Sequence, residues 1–188
     1  MNPMHMLIYL QEVSTAADMA MALRHNFLLM VGDDQERQNI NTWLMLQASL
    51  MQYGMVSKFL FPVSSAGTSG KARAAALRAE LGVQKESTLN NRDARIALEH
   101  FDERLDVSLH RPEAGVLQMV IQDRAGYEFF DKDRWVIRRA YIVEEDVFIV
   151  EGARGRGPTE MPLAGIFDEL EKIAAFAEHR LTGKFRLV

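Results

Sequence analysis

The chain has 188 residues, 48% of them hydrophobic and 26% charged, with a formal charge of −4 at neutral pH. It is long enough to bury one sizeable core, and its composition is that of a globular domain, not of a disordered or fibrous chain. The lack of cysteine excludes a disulfide framework, a thiolate metal site and a cysteine nucleophile. The negative balance argues against general nucleic-acid binding, whose affinity comes from neutralising phosphates.

Met1 to Leu10 lacks a basic stretch followed by a long apolar run, so no signal peptide is expected. The apolar runs Phe27 to Val31 and Tyr141 to Val143 are far too short to span a bilayer. These features predict a cytoplasmic protein with no membrane partner. Charge is nonetheless uneven. Between Lys71 and Arg95 stand six basic residues and three acidic ones, a local excess that suits a solvated helix face or a small patch.

In chain order, Tyr9 to Val31 is rich in alanine, leucine and methionine and predicts a first helix, with Gly32 as its stop. Asp33 stands three residues before Glu36, a capping-box spacing that predicts the start of a second helix running to Pro62. Trp43, Leu44, Leu46, Leu50, Met51, Met55, Val56, Phe59 and Leu60 lie around most of its circumference. A helix apolar nearly all round belongs in a core or at a subunit interface.

Val63 to Gly70 predicts a Ser/Gly loop. Its Gly70-Lys71 pair invites comparison with a phosphate-binding loop, but Gly67 is wrongly spaced and Ala72 stands where a Ser or Thr should meet the metal. A third helix is expected from about Lys71 to Leu81, ending at Gly82. A fourth is expected from Asn90 or Asn91, both good N-cap residues, ending before Pro112.

After Pro112 the pattern changes. Val116 to Ile121, Trp135 to Val143 and Val147 to Val150 are rich in β-branched and aromatic residues, with Glu144-Glu145-Asp146 as a turn between the last two. They predict a small antiparallel sheet or hairpin. Pro162 suits a first-turn position, and Leu163, Ile166, Phe167, Leu170, Ile173, Ala174, Ala177 and Leu181 keep a helical period to Gly183. The fold class expected is therefore mainly α, a helical bundle with an appended small antiparallel sheet and a C-terminal helix. It forms one domain over residues 1–188, with a bundle at 1–111, a β-rich insertion at 112–158 and a closing helix at 159–183.

The fourth predicted helix carries the candidate chemistry. At about 100° per residue, Ala94, Leu98, Phe101 and Leu105 share an apolar face. Arg92, Arg95, Glu99, Asp102 and Asp106 form a charged stripe beside it, and His100 and Arg104 lie on the opposite flank. One reading is a solvated lattice in which Arg95 pairs with Glu99 or Asp102, each pair contributing about 0.3–0.5 kcal/mol.

Glu99-His100-Phe101-Asp102-Glu103-Arg104-Leu105-Asp106 also resembles the hallmark of a group of bacterial proteins similar to the HEPN superfamily (higher eukaryote and prokaryote nucleotide-binding domains). That superfamily's signature is an Arg followed four to six residues later by His, and Arg95 and His100, with four residues between, match it. Val56-Ser57-Lys58-Phe59-Leu60-Phe61-Pro62 resembles the same group's second-helix ending, and Arg138 to Gly152 its strand-turn-strand segment. The resemblance covers residues 50–110 and, loosely, the C-terminal third.

The resemblance implies a HEPN-like helical bundle and metal-independent cleavage of RNA at a phosphodiester, with no cofactor. His100 would move protons near neutrality, and Arg95 would present a planar fork to the phosphate. Arg92, Glu99, Asp102, Ser57 and Lys58 are the accompanying candidate binding residues. A homodimer is implied, because such sites form where two motif helices face each other, and RNA or a nucleotide is the implied partner. The residue after the motif Arg is usually polar, and here it is Ile96. In a regular helix Arg95 and His100 stand about 140° apart, so they converge only if the helix bends or a second chain contributes.

Other candidates carry less. His5, His25, His110 and His179 show no metal-ligand spacing, so no metal is expected. Ser64, Ser65 and Ser69 lack a nucleophile-elbow context. Two readings therefore stand: an RNA- or nucleotide-related HEPN-like protein centred on Arg95 and His100, with a weak or lapsed ribonuclease site, and a non-catalytic helical interaction or scaffold protein.

Overall fold

The structure is a computed structural model describing residues 2–91, 95–96, 115–129, 135–150 and 158–185. The predicted fourth helix, with Arg92, Glu99, His100, Phe101 and Asp102, lies outside these residues apart from Asn91, Arg95 and Ile96. The described chain is mainly helical, with a small four-stranded mixed sheet and a C-terminal helix. In order the elements are α1 (Pro3–Gly32), α2 (Ile40–Leu60), α3 (Gly67–Leu81), a single 3-10 turn (Thr88–Asn90), β1 (Gly115–Ile121), α4 (Arg124–Phe129), β2 (Trp135–Ile142), β3 (Val147–Val150), β4 (Thr159–Pro162) and α5 (Leu163–Phe185).

They divide into two compact units. One comprises Met1–Leu28, Trp43–Asn91 and Gly165–Val188, and the other Leu29–Thr42 and Arg92–Ala164.

In the helical unit, Leu10, Val13, Ala17, Ala20 and Phe27 of α1 and Leu46, Leu50, Tyr53, Val56 and Leu60 of α2 are buried. The two helices are joined across this apolar layer by a polar bond, from Ser49 Oγ to the Ala20 carbonyl at 2.7 Å. Tyr9 and Phe59 meet edge to face at 6.0 Å, and the Arg73 guanidinium lies 5.4 and 5.5 Å from those rings. Arg78 of α3 donates to the Leu60 carbonyl, which lies at the end of α2 and has no helical donor of its own. Gly82 takes the left-handed conformation (φ 68°) that ends α3, so that its amide reaches the Arg78 carbonyl. Arg24 of α1 covers the Phe167 ring of α5 at 4.3 Å.

The second helix opens at Ile40, not at Asp33. Asp33 Oδ1 accepts from the Gln35 amide at 2.8 Å, while Asn39 Oδ1 accepts from the Asn41 amide at 2.9 Å. Asn39 is thus the N-cap, and residues 33–39 form turns. In the sheet unit the Gln38 amide group pairs with the edge of β1, donating to the Val120 carbonyl at 2.7 Å and accepting from its amide at 3.1 Å. A side chain takes the place of a neighbouring strand there, which blunts an exposed edge.

The strand order is β1-β2-β3-β4. The sheet is not antiparallel throughout, as the sequence predicts: β1 and β2 run parallel, whereas β2–β3 and β3–β4 are antiparallel. The parallel pair is possible because residues 122–134 between the strands are long enough for a crossover, and α4 forms within it. Asp123 caps α4, accepting from the Gly126 amide at 2.7 Å. β4 was not expected either. Pro162 ends that strand, where one carbonyl can still pair, and the helix begins at the next residue.

One register irregularity shapes the sheet. Leu117 pairs with Ile137 but Gln118 pairs with Arg139, so Arg138 is an extra residue on β2. An odd spacing would otherwise put Ile137 and Ala140 on opposite faces. With the bulge, Ile137 packs beside Met119 and Ile121 against the cluster of Tyr127, Ala140, Ile142, Val147 and Ile149. The other face, with Val120, Tyr141, Phe148 and Met161, is buried too. α4 lies close to β1: a Cβ on Gly126 would come within 2.9 Å of the Ile121 Cγ2 methyl. Ile121 is β-branched and cannot swing away. Gly126→Ala is expected to destabilise the protein by about 1–3 kcal/mol in urea unfolding, and a change under about 0.5 kcal/mol would show that this contact is slack.

Candidate functional site

The end of α2 supplies two of the residues singled out in the sequence. Ser57 is buried, and its hydroxyl donates to the Leu89 carbonyl at 2.7 Å. Lys58, the next residue, is exposed in the last turn of α2, where a cation suits the helix dipole. Successive helix positions thus turn one side chain into the core and the other to solvent.

Arg95 belongs to the other unit, and it is helical together with Ile96. Its side chain is only 2% exposed, whereas Ile96 is exposed. This inverts the usual ordering of an arginine and an isoleucine. A guanidinium taken out of water is strongly disfavoured unless oxygens or rings surround it, so the burial of Arg95 requires partners within the protein. Arg92, Glu99, His100 and Asp102 lie outside the described residues, and the geometry of the Arg95–His100 pair with them.

Two further charged groups were not singled out. Arg138 and Arg139 stand together on β2, an interruption in a strand otherwise rich in β-branched and aromatic residues, and that interruption was the available signal. Burial pulls the Arg139 guanidinium down to about 10, aided by the like charge of Arg138, and burial lowers Arg138 as well. Both stay cationic at neutral pH. On α4, Arg124 donates to Glu145 at 2.5 and 3.0 Å and to Glu160 at 2.7 and 3.1 Å. These bonds push Arg124 up, and the bond from Arg124 holds Glu145 below the ordinary carboxylate range. The clamp joins α4 to the β2–β3 turn and to β4.

The helical unit holds a polar junction of its own. Glu169 Oε2 on α5 accepts from Ser87 Oγ at 2.5 Å, Thr88 Oγ1 at 2.9 Å and the Leu89 amide at 3.3 Å. A cleft of about 420 Å³ opens beside it, between the turn after α3 and the α5 surface. No signal in the sequence marks Glu169, one of several acidic residues on an amphipathic helix. Among the described residues no group of three or more His, Asp or Glu side chains could hold a metal ion, and no helix is long and apolar enough to cross a membrane.

Comparison with family models, with curated proteins and with solved structures returned no match.

The position of Ser57 generates a direct test. Ser57→Ala leaves the buried Leu89 carbonyl without its donor and is expected to cost about 1–3 kcal/mol in denaturant unfolding. Stability within about 0.5 kcal/mol of the wild type would show that this bond contributes little to the fold.

Proposed function

We propose that this chain is a non-catalytic helical interaction protein that pairs with a second copy of itself through the outward face of α2. The observation that carries this reading is the exposure of Leu44 (56%), Met51 (70%) and Met55 (46%) on the side of α2 opposite its core residues. With Ala48 these positions alternate by four, three and four residues, the spacing of a coiled-coil seam. A stripe on one helix is complementary to its own copy across a two-fold axis, which makes an identical partner the economical occupant. Methionine adapts its shape and suits such a surface.

The burial of Arg95 supports a structural role for the charged segment. A cation that must receive a phosphodiester has to be reachable, and Arg95 is almost wholly covered in the single chain. The eight-residue hallmark from Glu99 to Asp106 favours the second reading, a HEPN-like protein related to RNA or nucleotides with a ribonuclease site at Arg95 and His100.

Light scattering at micromolar concentration is expected to give twice the chain mass of 21.4 kDa. Leu44→Glu with Met51→Glu is expected to give a folded monomer by circular dichroism, and a monomeric wild type would refute the pairing. Incubation of RNA with the protein and a chelator is expected to yield no cleavage. Cleavage that is lost in both Arg95→Ala and His100→Ala would replace this reading with the ribonuclease one.

A further inference from the structure

We propose that the cleft between the turn after α3 and the α5 surface binds a small ligand with a cationic amine on an apolar, ring-sized body. At about 420 Å³ the cleft has the size of small-molecule sites. Its lining divides by chemistry. Leu81 and Ile173 are buried and form an apolar floor, and Phe176 presents a partly exposed ring beside them. Glu86, Glu169 and Lys172 supply the charge, two carboxylates against one ammonium. The net negative charge favours a cation over an anion or a neutral ligand.

Glu169 gives the site its geometry. All three of its hydrogen bonds end on Oε2, which fixes the carboxylate plane. Among the described residues nothing donates to its Oε1. A carboxylate held in this way is preorganised to accept from an incoming N–H without first losing side-chain freedom. Lys172 lies one helical turn further along α5, yet among the described residues it makes no ion pair with Glu169. Phe176 follows a turn later, placing a π face on the same side of α5 as the carboxylate, and ring faces attract both cations and other rings. An amine joined to a ring meets each of these features. A carboxylic acid would face two like charges.

The test is an NMR titration of the full chain with phenethylamine, 2-phenylethanol and phenylacetate, read at the Ile173 methyl and Phe176 ring signals. Phenethylamine is expected to shift both saturably. Its affinity should exceed that of the alcohol by about tenfold, the value of one charge-assisted hydrogen bond over a neutral one, with phenylacetate weakest. Glu169→Gln keeps an acceptor for Ser87, Thr88 and Leu89 but removes the charge, and should bring the amine down to the alcohol's level. Phe176→Ala, at an exposed position, should weaken all three ligands and serves if Glu169→Gln does not fold. Equal binding of amine and alcohol, undiminished amine binding by the variants, or no saturable shift at these signals would overturn the proposal.

Discussion

The junction on Glu169 is the constraint from which much of the helical unit follows. One carboxylate oxygen gathers two hydroxyls and a backbone amide from Ser87, Thr88 and Leu89, so the chain leaving α3 is held on α5. The same short segment is held from the other side, because the Leu89 carbonyl receives the Ser57 hydroxyl of α2. Leu89 itself is buried, so its amide and carbonyl both need partners away from water. These bonds supply them. Three distant parts of the chain meet at one residue, and the wall of the cleft is set by that meeting.

α2 carries the second constraint, that one helix is apolar on two opposite sides. Its inner side, with Leu46, Leu50, Tyr53, Val56 and Leu60, is fully buried. Its outer side leaves Leu44, Met51 and Met55 in water. Burying an aliphatic side chain of this size is favourable by about 1.5–3 kcal/mol, which is what the proposed pairing would gain at each of the three. α5 shows the contrast. Leu163, Ile166, Leu170, Ile173 and Ala177 are buried while Asp168, Glu171, Lys172 and Glu178 face solvent, so its apolar and polar residues lie on separate faces.

This difference also explains what could be read from the sequence. α5 was legible from its period, and α1, α3 and the first three strands from their propensities and glycine stops, although α1 begins at Pro3 and not Tyr9, and α3 at Gly67, inside the expected loop. The start of α2 was not, because Asp33 and Asn39 are both competent caps and only the pull of Arg37 on the Val31 carbonyl and of Thr42 on the Glu36 carbonyl separates them. β4 was hidden since Thr159–Pro162 has little β-branched character and forms a strand through pairing with β3. The parallel sense of β1 and β2 depends on a crossover that no local pattern announces. Of the candidate site, Ser57 and Lys58 were legible as neighbours on one helix. That Ser57 would turn inward toward Leu89 was not, since the contact joins positions 32 residues apart.

The described arginines of the sheet unit show how differently one side chain type can be placed. Four of them occupy three different environments. Arg124 is partly exposed and answered by two carboxylates, so its charge is neutralised at the surface. Arg138 and Arg139 are partly desolvated on a strand, the first displaced from the regular pairing by the bulge. Arg95 is buried outright. Catalysis of phosphoryl chemistry needs a cation whose field reaches the developing charge, with donors aimed at a place the substrate can occupy. Desolvation strengthens such a cation only while the path to it stays open. Where protein atoms already fill that path, the same desolvation turns the guanidinium into a structural group, because every donor must then be met from within. Reaching Arg95 from solvent would require its covering residues to move, and the free energy of that opening would be subtracted from whatever the cation contributes to the transition state.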